Sequence, residues 1–210
     1  MKKDIIFLKE YSFNYANDEY GFDEIEKRYM FFKNLKVIIL EESIYIKAIP
    51  LQYRFGNLEK YIENKIVEIF PQDGKILYDY EKSNEKNCVY IYAIRGKDKI
   101  EKLCSESVSL EVLPIQFIIK DILNIILRKK EIDVMALVKL DDIYYFIKCS
   151  NGLLIDNYVS EDILKIYDYL DEKNFQGKII LDKKCSVDEY FLRNLEIIEK
   201  DILELIYEKL

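Results

Sequence analysis

Paired carboxylates are the residues in this sequence whose type and spacing could do chemistry. Glu41–Glu42 and Asp141–Asp142 each form an acidic dipeptide between two apolar stretches, and two neighbouring carboxyl groups can act as acid and base in hydrolysis. Acidic residues in tight turns are usually solvated instead. The chain has no histidine, which excludes an imidazole base and histidine metal ligands. We therefore expect no enzymatic activity.

Glycine spacing argues against a phosphate-binding loop. Such loops need closely spaced glycines, because backbone N–H groups must approach the ligand. The six glycines of the chain are scattered, and no two lie within four residues of each other. Neither a P-loop nor a dinucleotide-binding fingerprint is present, and we expect no bound cofactor.

The cysteines do not have metal-ligand spacing. Cys88, Cys104, Cys149 and Cys185 lie far apart, without a CxxC pair. In the absence of histidine, a zinc site would need all four thiolates or additional carboxylates. We expect reduced, small apolar side chains in a cytoplasmic protein.

Composition and charge restrict the class of protein further. Half of the 210 residues are hydrophobic, and the formal net charge is −7. Because nucleic-acid binding depends on clusters of Lys and Arg, we expect no nucleic-acid partner. The N-terminal segment is too short for a signal-peptide core, and no apolar run approaches the length of a bilayer span. Whether a span follows Leu210 in a longer natural protein is left open.

Hydrophobic periodicity predicts strands and helices in the first half of the chain. The apolar runs 37–40 and 44–49 are predicted to pair as a hairpin through a turn at 41–43, and Pro50 closes the second strand because it has no N–H. The other predictions are a strand at 4–10, an irregular segment at 11–24 and a helix or strand at 22–32. Further along they are a helix at 58–70, strands at 76–80 and 88–94, a helix at 97–107, a strand at 110–113 and a helix at 115–130.

The second half is predicted to have the element order βββαβα. Asn151–Gly152 is a strong hairpin signal, and Ser160 is a suitable helix N-cap. The predictions are strands at 134–139, 143–149 and 153–159, a helix after Ser160, a strand at 179–182 and a long final helix after Ser186. The stretch VIILEESIYIKAIP at 37–50 resembles ALVKLDDIYYFIKCS at 136–150, which predicts a repeated hairpin.

Five segments in the centre of the chain follow one another in a recognisable order. They are IPL at 49–51, FP at 70–71, YDY at 78–80, VYIYAI at 89–94 and LEVLPIQFII at 110–119. From Lys36 to about Ser160 the chain resembles the PilM/GspL family, the actin-like cytoplasmic platform proteins of type IV pilus and type II secretion systems. Order and spacing carry the resemblance rather than any single motif.

The resemblance implies a mixed α/β class and a reduced actin-like (ribonuclease-H-like) fold with two lobes, in which mixed sheets are flanked by helices. It also implies three regions. Residues 1–34 would hold an N-terminal strand and an irregular or helical segment, and residues 35–130 a first lobe with an inserted βαβ-type subdomain. Residues 131–210 would form the second lobe.

The resemblance further implies a non-enzymatic scaffold, peripheral to the inner face of the cell membrane. Its expected partners are a membrane-anchored platform protein and the assembly ATPase, and homodimerisation is left open. Nucleotide-binding relatives carry an Asp-x-Gly turn in the first hairpin of each lobe. The turns matched here, at 41–43 and 141–143, contain no glycine.

Two alternatives stay open at this point. A degenerate actin-like ATPase or nucleotide sensor would have a pocket between its lobes, lined by Asp141, Asp142 and Asp182 and holding Mg²⁺ and ATP. An unrelated α/β adaptor would share only the pattern of elements.

The predicted partner-binding surface is the connection that leads into the helix at 58–70. An ordinary solvent-exposed strand–helix connection is the alternative interpretation. The residues predicted to bind a partner are Tyr53, Arg54, Phe55 and Asn57.

Overall fold

Three β-sheets and six helices form the part of the chain that the computed structural model describes. The described residues are 3–27, 32–51, 57–104, 107–127, 133–188, 193 and 195–210. The strands are β1 (Asp4–Leu8), β2 (Ser12–Tyr15), β3 (Asp18–Gly21), β4 (Asn34–Ile39), β5 (Tyr45–Pro50), β6 (Ile76–Ser83), β7 (Cys88–Arg95), β8 (Ser109–Pro114), β9 (Asp133–Leu140), β10 (Ile143–Ser150), β11 (Leu153–Ser160), β12 (Gly177–Asp182) and β13 (Leu195–Lys200). The helices are α1 (Glu24–Lys27), α2 (Leu58–Ile69), α3 (Lys97–Leu103), α4 (Ile115–Ile126), α5 (Ile163–Lys173) and α6 (Ile202–Lys209).

The first sheet has the strand order β3-β2-β1-β4-β8. Strands β1, β2 and β3 form an antiparallel meander, whereas β4 lies parallel to both β1 and β8. β4 is buried at nearly every position. A strand covered on both faces needs apolar residues in succession, and Val37, Ile38 and Ile39 supply them.

The second sheet repeats this topology with the order β11-β10-β9-β12-β13. Strands β9, β10 and β11 form the meander, and β12 lies parallel to β9 and β13. Asn151 and Gly152 join β10 to β11 with φ values of 51° and 78°, as a two-residue type I′ hairpin requires. The meander β1–β2–β3 therefore corresponds to β9–β10–β11.

A third sheet, of order β5-β7-β6, is inserted between β4 and β8. Both strand pairs are antiparallel. One face packs against α2 through Ile49, Ile62 and Ile91. The opposite face carries Tyr90 and Tyr92 into the core of the first sheet. The inserted unit thus has its own small core on one side and shares the main core on the other.

Helices α4 and α6 lie where the two large sheets meet. They contact each other, while α4 also packs on β8, β10 and β11, and α6 packs on β9 and β12. Side chains alternate across β10, so Tyr145 and Ile147 enter this core while Phe146 enters a separate core beneath α5. The largest core is therefore shared by both lobes.

The predicted hairpin at 37–49 is wrong. β4 pairs with β1 and β8, whereas β5 pairs with β7 in another sheet. Glu41 does adopt a positive φ of 65°, but the residues around it connect two sheets instead of two paired strands. The counterpart of the β9–β10 hairpin is β1–β2, so the predicted repeat of 37–50 in 136–150 is also wrong.

The predicted long final helix is wrong as well, and the second lobe has the order βββαββα. β13 occupies residues 195–200 and pairs in parallel with β12. α6 begins only after Asp201, whose Oδ1 accepts a hydrogen bond from the N–H of Glu204 at 3.3 Å. Similarly, Asp162 and not Ser160 caps α5.

The segment predicted to be irregular at 11–24 contains the β2–β3 hairpin and the start of α1. Ala16 and Asn17 form its turn with φ values of 52° and 72°. Helix α1 confirms the helical interpretation for residues 24–27, and residues 28–31 lie outside the described residues.

The predicted fold class is confirmed: mixed sheets flanked by helices form two lobes. The division of the chain at 34/35 and 130/131 stays a prediction. None of the described helices is long and apolar enough to cross a membrane.

Candidate functional site

An apolar groove of about 220 Å³ lies between the first sheet and the inserted sheet. Strands β8 and β6 contribute three residues each, and β7 and the first turn of α4 add further side chains. All of the lining residues are apolar or aromatic except Asp79. They are Ile39, Ile44, Leu77, Tyr78, Asp79, Tyr92, Ile94, Val112, Leu113, Pro114 and Phe117.

Two strand edges border this groove. β8 is the last strand of the first sheet and β6 is the last strand of the inserted sheet, so each pairs with a single neighbour among the described residues. Such edges present unpaired backbone N–H and C=O groups. Val108, which precedes β8, and Leu110, near its start, are also exposed. This arrangement suits an extended peptide that adds a strand and places apolar side chains in the groove.

Tyr92 and Phe117 shape the interior of the groove. Their rings meet edge to face with centroids 5.0 Å apart. The Tyr92 hydroxyl lies 2.9 Å from Glu81 Oε2 and 3.1 Å from the carbonyl oxygen of Leu154, to which it can donate. Burial is the largest cause that raises the pKa of Tyr92, and the negative charge of the nearby Glu81 carboxylate raises it further. The phenol therefore remains a donor that links the inserted sheet to the second lobe.

A partly buried ion pair, in which Lys120 is the buried partner, links the inserted sheet to α4. Lys120 Nζ lies 2.6 Å from Glu81 Oε1, and the two side chains are 6% and 30% exposed. The same ammonium lies 4.7 Å from the centroid of the Phe117 ring, within the range of a cation–π interaction. Phe117 therefore lines the groove and also contacts the ammonium of the ion pair.

The connection between β4 and β5 is held by side chains of the second lobe. The N–H of Ile44 donates to Asn157 Oδ1 at 2.8 Å, and Asn157 Nδ2 donates to the Ile44 carbonyl oxygen at 2.7 Å. The N–H of Glu41 donates to the Tyr145 hydroxyl at 3.2 Å. Since Ile44 lines the groove, these bonds position part of it.

Of the four predicted partner-binding residues, the structure describes Asn57, which does not line the groove. Tyr53, Arg54 and Phe55 lie outside the described residues. Asn57 caps α2, because its Oδ1 accepts a hydrogen bond from the N–H of Lys60 at 3.1 Å. Its observed role is structural, and its predicted role in binding stays a prediction.

The paired carboxylates lie in connections, as expected from the sequence. Glu41 Oε2 accepts a hydrogen bond from the N–H of Glu10 at 2.8 Å. Asp142 is fully exposed and forms an ion pair with Lys139 at 3.2 Å. Of these four carboxylates, the pocket linings in the described part of the chain include Asp141 alone.

Asp182 has a structural role as well. It is buried, and its two carboxylate oxygens accept hydrogen bonds from the N–H groups of Leu203 at 2.8 Å and Lys184 at 2.9 Å. The carboxylate thereby satisfies a free N–H in the first turn of α6. Within the described ranges, no group of three or more Cys, Asp or Glu residues is placed to hold a metal ion.

A pocket of about 350 Å³ does lie between the two lobes. Residues of β1 and of the β2–β3 turn line one side, and Leu140, Asp141 and Tyr207 line the other. Of the three acidic residues predicted to line such a pocket, its described lining includes Asp141 but not Asp142 or Asp182. The same lining contains no Lys or Arg, so a triphosphate would meet a carboxylate without a compensating cation.

Sequence reasoning missed the groove because its two sides come from segments that are distant in sequence. A local signal was nevertheless present. Proline within a sheet is restricted to edge strands and strand ends, and Pro50 and Pro114 each end a strand that lies at a sheet edge. A search for Pro-terminated apolar strands would have found the β8 edge.

No protein-family model and no curated protein sequence matches the chain. Solved structures do match. A protein from Bacteroides thetaiotaomicron with an actin-like ATPase fold and unknown function has a TM-score of 0.53 and 13% identity, over 97% of this chain and 95% of that one. A PilM–PilN type IV pilus biogenesis complex matches with a TM-score of 0.54 and 10% identity, over 88% and 77%.

The cytoplasmic domain of EpsL, an inner-membrane component of the type II secretion system of Vibrio cholerae, matches over 98% of this chain and 92% of that one. Its TM-score is 0.51 and its identity 12%. At these identities the likeness establishes the fold. The predicted resemblance to PilM/GspL proteins is thus confirmed at the level of architecture, and the chain has an actin-like fold.

Proposed function

We propose that this chain is a non-enzymatic scaffold in the assembly platform of a type IV pilus or type II secretion-like system, at the inner face of the cell membrane. The observation that carries the proposal is the apolar groove between the open edges of β8 and β6. The fold shared with a PilM–PilN complex and with the EpsL cytoplasmic domain supports it.

The groove suits a cytoplasmic segment of a membrane-anchored partner. An extended chain would gain backbone hydrogen bonds at a strand edge and bury apolar side chains between β8 and β6. The cytoplasmic flanks of membrane spans carry an excess of Lys and Arg. Asp79, the acidic residue among the groove-lining side chains, would attract such a flank.

Variants of the groove test this proposal. We expect Leu77→Ala, which removes apolar contact area, and Asp79→Lys, which reverses the charge, each to reduce co-purification of membrane-anchored platform proteins by about tenfold, the effect of a moderate interface hot spot. The measurement is quantitative mass spectrometry of material captured on the tagged chain from its native cells.

Asp168→Lys is a matched control, because Asp168 is exposed on α5 and does not line the groove. Thermal unfolding of each variant separates a binding defect from a folding defect. Capture of platform proteins that is unchanged by both groove variants would refute the assignment of the groove. Normal pilus and secretion assembly without the chain would refute the platform role.

The proposed absence of catalysis has its own test. The interlobe pocket offers Asp141 but no cationic side chain in its described lining. We therefore expect titration of Mg-ATP into the protein to release no binding heat. Saturable heat that Asp141→Asn abolishes would instead favour the nucleotide-sensor alternative. Binding of the assembly ATPase is part of the proposal without an assigned surface, whereas homodimerisation, left open by the sequence, is not part of it.

A further inference from the structure

The outer face of the inserted sheet is only partly covered. α2 packs over the end of this face that carries Ile49, Val89 and Ile91. On the same face, the register places Tyr45 opposite Ala93 and Ile76 opposite Arg95, and α2 ends at the border of this region with Ile69. This uncovered end of the sheet faces away from the groove between β8 and β6.

A pocket of about 310 Å³ occupies the uncovered end. Its apolar lining comes from the sheet and from the residues where α2 ends, including Ile69, Phe70 and Pro71. Tyr45 borders it and is 68% exposed. Large apolar or aromatic residues that stay exposed around a concave site mark an interaction surface more often than scattered single ones do.

Two cations border this pocket. Lys47 and Arg95 are exposed and line it, and its described lining contains no carboxylate. No ion pair to either cation is formed within the described part of the chain. The nearby Asp73 accepts a hydrogen bond from the N–H of Lys75 at 2.9 Å, and Glu68 pairs with Lys65 at 2.5 Å. In a chain of net charge −7, this is a local positive surface.

An open strand edge adjoins the pocket. β5 is the first strand of the inserted sheet and, among the described residues, pairs on one side only, with β7. Tyr45 and Lys47 of β5 line the pocket. A ligand that adds to this edge in extended conformation would place alternate side chains over the pocket.

We propose that this pocket is a second docking site, which binds an extended acidic segment of a partner protein. One apolar side chain of the segment fills the pocket, and carboxylates on either side of it meet Lys47 and Arg95. The site lies on the opposite face of the inserted sheet from the groove and has the opposite charge. One small sheet can therefore hold two different ligands at once.

An anionic membrane surface fits the same features less well. Lipid recognition by basic residues relies on clusters of about four to eight Lys or Arg, and this site has two. The surface is also concave, whereas a side chain that inserts among lipid headgroups must protrude. The observations thus favour a peptide, and a membrane becomes an outcome of the test.

A defined peptide pair tests the proposal on the full chain. The probe is a short fluorescein-labelled peptide in which Glu alternates with Leu, and its control has Lys in place of Glu. We expect saturable binding of the acidic peptide alone, measured by fluorescence anisotropy and weakened by added salt. Lys47→Glu combined with Arg95→Glu is expected to weaken this binding at least tenfold.

Two further variants keep the test specific. Lys165→Glu makes a comparable charge change at an exposed residue of α5 and should leave binding unchanged. Leu77→Ala alters the groove between β8 and β6 and should also leave binding of the acidic peptide unchanged. A wrong assignment of the groove can therefore be told apart from a wrong assignment of the second docking site. The proposal is overturned if the acidic peptide shows no saturable binding, or if the acidic peptide and the Lys control bind equally well. It is also overturned if the acidic peptide still binds the variant in which Lys47 and Arg95 are both replaced by Glu. Anionic phosphatidylglycerol vesicles that bind through Lys47 and Arg95 while the peptide does not would overturn it too.

Discussion

Replacing Glu81 with leucine is expected to destabilise the protein by about 3–5 kcal/mol, the usual cost of removing one partner of a buried ion pair. The variant leaves the ammonium of Lys120 with its side chain 6% exposed and without its carboxylate. The remaining interaction with the Phe117 ring, at 4.7 Å, offsets only part of that cost. Urea unfolding followed by circular dichroism measures the loss.

The double variant Glu81→Leu/Lys120→Met should recover most of this stability, since replacing both charges by apolar groups removes the unpaired ion. Asp121→Asn is a matched control on the next residue of α4. Asp121 forms an exposed pair with Lys209 at 2.6 Å, and we expect its loss to cost less than about 1 kcal/mol. Equal losses for Glu81→Leu and Asp121→Asn would show that the Glu81–Lys120 pair does not behave as a buried one.

Replacing Asn157 with alanine is expected to cost about 2–6 kcal/mol, because it leaves two buried backbone groups without partners at about 1–3 kcal/mol each. Both groups belong to Ile44, whose N–H and C=O are 2.8 Å and 2.7 Å from the Asn157 amide. Unfolding in urea measures this effect too. The variant should also loosen the connection between β4 and β5, detected as faster amide hydrogen exchange at Ile44.

Asn57→Ala is the control for this substitution. It removes an exposed N-cap with a single hydrogen bond to the N–H of Lys60, at an expected cost of about 1 kcal/mol. It should leave exchange at Ile44 unchanged. If Asn157→Ala cost no more than Asn57→Ala, the amide of Asn157 would not be what holds the connection in place.

Elements specified by local chemistry could be predicted from the sequence. The meander β9–β10–β11 follows from three successive apolar runs and from Asn151–Gly152, whose positive φ values match a type I′ turn. The helix after Asn57 follows from apolar residues at helical spacing, with Pro71 just beyond its end. In each case a few adjacent residues contain the whole signal.

Pairing between distant strands could not be predicted in the same way. Glu41 to Ser43 are polar residues between two apolar runs, which suggested a turn, yet β4 pairs with β1 and β8 through contacts far along the chain. The run Val37–Ile39 nevertheless indicated a central strand, since unbroken apolar residues are typical of parallel strands covered on both faces. A hairpin with one solvated face would have alternated.

The end of the chain illustrates competition between two patterns. Leu195, Ile198 and Ile202 have helical spacing, but β13 gains a parallel partner in β12 and stops at Lys200. The stop was encoded locally: Asp201 followed three residues later by Glu204 is a capping-box pattern, and Asp201 does cap α6. The candidate groove was harder to foresee, because it exists only after the inserted sheet docks beside β8.

The core shared by α4 and α6 has a mechanical consequence. Val37 and Tyr145 from the two large sheets and Ile119 and Ile206 from α4 and α6 belong to one continuous cluster. Moving the two lobes apart would therefore expose apolar surface of this core to water. The free-energy cost is roughly 25 cal/mol for each Å² of apolar surface exposed. We therefore expect the two lobes to keep one relative orientation, so that the two proposed docking sites would stay at a constant distance from each other.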